Sequence, residues 1–126
     1  MTASPRFIGP QPLSAYGPTL RAQLERLRHA DGRFVDLLRE LPPCLAIVAL
    51  DTRGVCGWAT CEPSGLLGVY VHPRCRRKGI GTELAERARR TLEAVWPGVE
   101  WEARANPGTV GRAFWRMRAR WARRAA

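Results

Sequence analysis

The sequence predicts one α+β domain, and three observations carry that prediction. Three apolar runs between Cys44 and Val71 are separated by tight-turn signals, which reads as an antiparallel meander. An amphipathic helix pattern follows at once, and then a short apolar run from Val99 to Ala103. That strand–helix–strand order is a crossover, so its two strands should run parallel. Helical patterns before and after this block complete a mixed layout.

Taken in order, residues 1–17 are rich in Pro and Gly, and only Arg6-Phe7-Ile8 reads as a short edge strand. Pro18 suits a first helical position, and Leu20, Leu24 and Leu27 recur at helical spacing. Asp31 is an N-cap candidate for a second helix bearing Phe34, Leu37, Leu38 and Leu41, which Pro42-Pro43 stops. The meander strands are Cys44 to Leu50, Val55 to Cys61 and Leu66 to Val71. Asp51-Thr52-Arg53-Gly54 and Glu62-Pro63-Ser64-Gly65 are the turns between them. From about Gly79 a helix carries Ile80, Leu84, Ala88, Leu92 and Val95 on one stripe, with Glu83–Arg87 and Glu86–Arg90 as outward i,i+4 pairs. Pro97-Gly98 ends it. Beyond the strand at 99–103, Thr109 caps a last helix with Val110, Phe114, Met117 and Trp121 on its apolar side.

The bulk properties narrow the class. A length of 126 residues suits one domain, expected over 1–126, and buries enough surface to fold without disulfides. Hydrophobic residues are 45% and charged residues 25%, as in ordinary soluble proteins. No apolar run is long enough to span a membrane, and the proline-bearing start does not resemble a signal peptide, so a cytoplasmic location is expected. Cys44, Cys56, Cys61 and Cys75 form no Cys-x-x-Cys pair, and His29 and His72 are the only histidines. The sequence therefore predicts buried apolar thiols and no metal site. The net charge is +10, and residues 74–126 hold fourteen of the 21 Lys and Arg against five acids. An anionic ligand is implied, whether a phosphate or a nucleic acid.

The informative segment runs from Val69 to Thr82: a strand, His72-Pro73, then Arg74-Cys75-Arg76-Arg77-Lys78-Gly79-Ile80-Gly81 opening a helix. A helix start offers unbonded N–H groups and the positive end of the dipole. Gly79 and Gly81 let a phosphate reach those groups, and Arg76, Arg77 and Lys78 add charge. A Walker loop does not fit, because Lys78 precedes the glycines. A dinucleotide fingerprint lacks its third glycine, where Leu84 stands.

This segment resembles the GNAT superfamily of acyl-CoA-dependent N-acyltransferases, whose signature Arg/Gln-x-x-Gly-x-Gly/Ala reads here Arg76-Arg77-Lys78-Gly79-Ile80-Gly81. The element order from Pro18 to Trp121 is similar too. The resemblance implies a GNAT-like mixed sheet with a splayed cofactor cleft, and acetyl-CoA as cosubstrate, its pyrophosphate held by main-chain N–H groups from about Arg77 to Thr82, through Gly79, Ile80 and Gly81. It implies that the main chain of Val69 and Val71 docks the pantetheine arm in a gap between two splayed parallel strands. Asn106 matches a cofactor-contacting asparagine, or is a plain turn residue before Pro107. The implied reaction is direct attack of an amine on the acetyl thioester.

Two departures qualify that reading. Phe114-Trp115 replaces the family's frequent tyrosine acid, and Leu66 and Leu67 occupy the usual base positions, leaving Glu62 and Glu102 as candidate bases. The family's two further strands have no counterpart after Trp121, so the sequence predicts an open sheet edge closed by a homodimer. A CoA-binding protein without turnover is the first alternative. A small Arg-rich nucleic-acid-binding domain is the second.

Overall fold

The computed structural model describes residues 5–12, 15–30, 45–76, 78–100, 102–104 and 119. The helix predicted from Asp31 to Leu41 lies outside these residues, as do Arg77, Asn106 and Trp115; of the helix predicted from Thr109 to Trp121 only Ala119 is described, and it is helical. Five strands form one sheet in the order β1 (Arg6–Pro12), β2 (Leu45–Asp51), β3 (Gly54–Cys61), β4 (Leu66–Val71) and β5 (Glu102–Arg104). The first four are antiparallel neighbours, and β5 lies parallel to β4. Helix α1 (Pro18–Ala30) follows β1, and α2 (Ile80–Val95) makes the crossover from β4 to β5. The α+β class, the meander and the parallel crossover are as the sequence predicts.

Strand alternation sorts the core into two layers. In β2, Ile47 and Ala49 face one way, and Ala46 and Val48 the other. In β4, Leu67, Val69 and Val71 join the first layer and Tyr70 the second. The first layer is covered by Ile80, Leu84, Ala85, Ala88 and Leu92 of α2. The second meets Leu24 of α1 and Tyr16, around the tilted pair Trp58–Tyr70 with ring centroids 4.3 Å apart. Each large apolar side chain buried here contributes roughly 1.5–3 kcal/mol.

Two irregularities shape the sheet. Leu50 is registered on Val55 and Ala49 on Gly57, so Cys56 is an extra residue and β3 bulges there. A Cβ on Gly57 would strike the Tyr70 carbonyl and come 3.3 Å from Leu84 Cδ1, so α2 packs directly on bare backbone at that point. In β1 the register shifts between Ile8 and Gln11. The buried Tyr16 hydroxyl reaches this irregularity, donating to Ala46 O at 2.5 Å with Ile8 O at 3.3 Å.

Several boundaries and pairs differ from expectation. The edge strand extends from Arg6 to Pro12. Val99 is still part of the turn that closes α2, its N–H donating to Trp96 O at 3.4 Å, so β5 starts only at Glu102. Val95 is 48% exposed, because the last turn of α2 faces outward, and Trp96 packs against the core in its stead. Glu83–Arg87 forms at 2.8 Å, but Glu86 pairs with Arg89 at 2.9 Å. Arg89 also reaches Glu93, and Arg90 turns toward Glu83 at 3.8 Å.

Candidate functional site

The end of β4 and the start of α2 are joined by a short 3-10 turn, Pro73–Cys75. His72 caps it: Nδ1 accepts from Arg74 N–H at 3.1 Å. Burial, aided by Arg74 and Arg76, holds the His72 imidazole below its ordinary pKa, so it is neutral at pH 7 with its proton on Nε2. Gly79 is the N-cap of α2, in the left-handed region at φ 78°, exposed, with no atom within 4 Å of where a Cβ would stand. That conformation admits glycine readily and other residues only with strain. No side chain caps the helix. The first intrahelical bond runs from Glu83 N to Gly79 O, so the N–H groups of the turn before it face outward from the helix end.

The predicted residues fall as follows. Lys78 is exposed beside Gly79, and Thr82 is half-buried. Ile80 and Gly81 are buried, so only their main chain faces the helix end. Arg76 Nε donates to Val71 O at 3.0 Å, which fixes the guanidinium across the end of β4. The cation cluster is less uniform than its sequence suggests. Arg74 belongs to another site: it forks onto Asp51, with Nη1–Oδ2 at 2.5 Å and Nη2–Oδ1 at 3.0 Å, and also donates to Val55 O.

Among the described residues, β4 is paired on its β5 side only over Leu66 to Gly68. His72 N–H donates to Cys56 O, so by alternation Val71 and Val69 point their main-chain groups away from β3, toward the β5 side. There the parallel register holds Leu66–Glu102, Leu67–Ala103 and Gly68–Arg104. On that side none of the described residues is registered against Val69 or Val71, whose partners on β3 are Ala59 and Gly57. The side chains of both valines are buried under α2, which fixes the strand.

The two acidic residues lie at the other end of β4. Glu102 is registered on Leu66, and Glu62 sits in the β3–β4 turn, where its carboxylate accepts from Ser64 Oγ at 3.2 Å and its carbonyl from Gly65 N at 2.9 Å. At ~3.3 Å per residue, Leu66 is about 17 Å from Val71. The structure thus brings Val69, Val71, Arg76, Lys78, Gly79, Ile80, Gly81 and Thr82 to one end of the sheet and leaves both acids at the opposite end. What sequence reading missed is the Asp51–Arg74 clamp. The residues are far apart in sequence, and only the β2–β3 turn brings them together.

The acetyltransferase (GNAT) family matches residues 14–118. The chain belongs to that family, and acyl transfer between an acyl-CoA and an acceptor is the activity this membership carries. Among solved structures, the chain is similar to an acyl-CoA N-acyltransferase from Pseudomonas aeruginosa, with TM-score 0.65 and 16% identity over 96% of this chain and 85% of that one. It is also similar to a ribosomal-protein-alanine N-acetyltransferase from Brucella melitensis biovar Abortus 2308, with TM-score 0.57 and 18% identity over 90% of each chain. At these identities the likeness shows the fold. No curated protein matches the chain. Among the described residues, no helix is long and apolar enough to cross a membrane.

Proposed function

We propose that the protein transfers an acetyl group from acetyl-CoA to an amine by direct attack. One observation carries this reading: an uncapped α2 N-terminus, led by left-handed Gly79, follows the end of β4, beyond the last residue that the described part of β5 pairs with, where the reading puts a gap between the two strands. An anion binds such a helix end through main-chain N–H groups. The gap beside Val69 and Val71 suits an extended chain that adds to a strand edge.

Acetyl-CoA supplies the activated thioester. The residues of the protein supply position and charge. The N–H groups around Arg77 to Thr82 and the Lys78 ammonium hold the pyrophosphate, with Asn106 touching the cofactor. Arg76 fixes the end of β4 and leaves the Val71 N–H and the Val69 main chain to the pantetheine arm. An N–H of this stretch stabilises the oxyanion that forms when a neutral amine attacks. Most of the rate comes from holding the two reactants together. Glu62 and Glu102 are the carboxylates proposed to take the proton of the amine, and their place at the far end of β4 requires that it reach them through water. Trp115, at the usual place of a tyrosine acid, has no acidic proton to give, so solvent protonates the departing thiolate.

Binding and turnover are tested separately. Acetyl-CoA at a hundred times its dissociation constant should stabilise the fold by ~2.7 kcal/mol, read as a rise in melting temperature. Gly79→Ala and Gly79→Glu share the backbone strain, but only the glutamate fills the seat with charge. Glu should therefore abolish the shift and Ala reduce it. Absence of any shift at millimolar acetyl-CoA would remove the reading. Thiol release should then appear with a panel of primary amines and an alanine-terminated peptide. A melting shift without thiol release with any acceptor would select the CoA-binding alternative.

A further inference from the structure

A second cluster of chemical groups lies behind the loop, on the α2 side of the sheet. Asp51 ends β2, Cys56 is the extra residue of the β3 bulge, and Cys75 ends the 3-10 turn. One carboxylate oxygen and the two Sγ atoms all lie within 4.8 Å of one another, with Cys75 Sγ 4.0 Å from Asp51 Oδ2. We infer that Asp51, Cys56 and Cys75 form a three-ligand site for a zinc-class divalent ion, with solvent at the fourth position. This goes beyond acyl transfer and does not depend on it.

Three features of the cluster support the assignment. The first is spacing. A tetrahedral ion with sulfur at ~2.3 Å and carboxylate oxygen at ~2.0 Å sets its ligand atoms about 3.5–3.8 Å apart. The observed cluster, with its ligand atoms within 4.8 Å of one another and one pair already at 4.0 Å, reaches that by a contraction of at most about 1.3 Å. The second is charge. Two thiolates and one carboxylate around a divalent ion leave one negative charge, and the Arg74 guanidinium already stands on Asp51 to cancel it. Each carboxylate oxygen has two lone pairs, so Asp51 can keep Arg74 while it ligates. Arg74 then serves as the outer-shell partner that orients a ligand. The third is access. Cys56 and Cys75 are each 1% exposed, but the Asp51 side chain is 20% exposed and opens the cluster to solvent. On uptake each thiol loses its proton to solvent, so two protons leave as one ion binds. The bound ion would tie the β2–β3 turn to the segment that leads into α2.

The pair escaped the sequence because its spacing matches no familiar zinc pattern. The bulge turns Cys56 to the same side as Gly57, and the 3-10 turn folds Cys75 back over it. Cys61, equally buried, belongs elsewhere; its thiol donates to Leu45 O at 3.7 Å.

The test uses the full chain, reduced with a phosphine. Cd²⁺ titration should produce a thiolate-to-cadmium charge-transfer band that saturates at one ion per chain, with two protons released. Zn²⁺ should compete for the same site and raise the melting temperature. The double variant C44A/C61A keeps only the two inferred thiols and must keep the band. Cys56→Ala and Cys75→Ala must each lose it, and Asp51→Asn should weaken binding at least tenfold. Failure of the reduced wild-type protein to develop the band overturns the site without recourse to any variant. So does a band that survives both single cysteine variants, or a Cys56–Cys75 disulfide whose reduction yields no metal uptake.

Discussion

Tyr16 is the clearest case of one side chain holding a local irregularity in place. Its ring is buried between α1 and the sheet, and its hydroxyl spans β1 and β2 through Ala46 O. Gly9, at φ 96°, approaches that hydroxyl so closely that a Cβ would collide with it and with the Ala46 carbonyl. Tyr16→Phe should therefore destabilise the fold by ~1–2 kcal/mol, the cost of one buried hydrogen bond. Burial also pushes the phenol from 10 up to about 12. A raised folded value means that the stabilising contribution is complete below pH 10. It is lost as the pH rises through the folded value, because the unfolded chain ionises first. The gap in stability between wild type and Tyr16→Phe should shrink between about pH 10 and 12, as measured by denaturant titration at stepped pH. A gap that stays constant over this range would show that the hydroxyl is solvated. None of this was visible in the sequence, where Tyr16 stands among glycines and prolines with no periodicity to assign it.

At the scale of elements, α2 joins the core to the candidate site, because its flank packs on the sheet while its first turn opens beyond the end of β4. Its stripe was legible through Leu92, since 3.6-residue periodicity needs only the sequence to be seen. Val95 fits the same stripe by spacing, yet the sheet beneath was not in view, and that last turn is exposed. The ion pairs show the same limit. Glu83–Arg87 was legible because Arg87 lies four residues on and meets no competing acid in the sequence. Glu86 had Arg89 and Arg90 to choose from, and the choice depends on rotamers. Strand order followed from turn signals. The bulge at Cys56 left no signal, because an extra residue in a strand changes no composition. Gly57 makes the element-scale prediction. A methyl there must displace the Tyr70 carbonyl of β4 and also crowds Leu84 Cδ1 at 3.3 Å, so Gly57→Ala should lower stability by roughly 1–3 kcal/mol by overpacking. Leu84→Ala alone should cost ~2–5 kcal/mol through its cavity. In the double variant the total should fall somewhat short of the sum, because Leu84→Ala removes the 3.3 Å contact but leaves the clash with the Tyr70 carbonyl. Strict additivity in thermal or chemical unfolding would mean that α2 does not rest on β3 at this point.

At the scale of the whole molecule, charge placement bears on how an anionic cosubstrate arrives. Residues 74–126 carry nine of the ten net positive charges, yet much of what the structure describes there is locally balanced. Arg74 is matched by Asp51, and Arg87, Arg89 and Arg90 by Glu83, Glu86 and Glu93. The exposed Lys78 and the positive end of α2 remain at the mouth of the gap. Long-range steering should then come from the net charge, and retention from the short contacts at the loop. These separate by salt. The Debye length falls from ~30 Å at 0.01 M to ~8 Å at 0.15 M, so the field that draws in an acyl-CoA is cut while short contacts persist. The association rate should drop about tenfold across that range, with the dissociation rate nearly constant. Lys78→Gln should flatten the slope and also slow binding at low salt. Stopped-flow tryptophan fluorescence can follow both rates, given five tryptophans in the chain. A nucleic-acid-binding domain would behave otherwise. Its affinity for duplex DNA would fall as the ~0.9Z power of salt, with Z the number of phosphates neutralised, and acetyl-CoA would leave it unchanged. Salt-independent association of acetyl-CoA would contradict steering by this charge, and a steep DNA slope unaffected by acetyl-CoA would shift the role of the arginines to a polyanion partner.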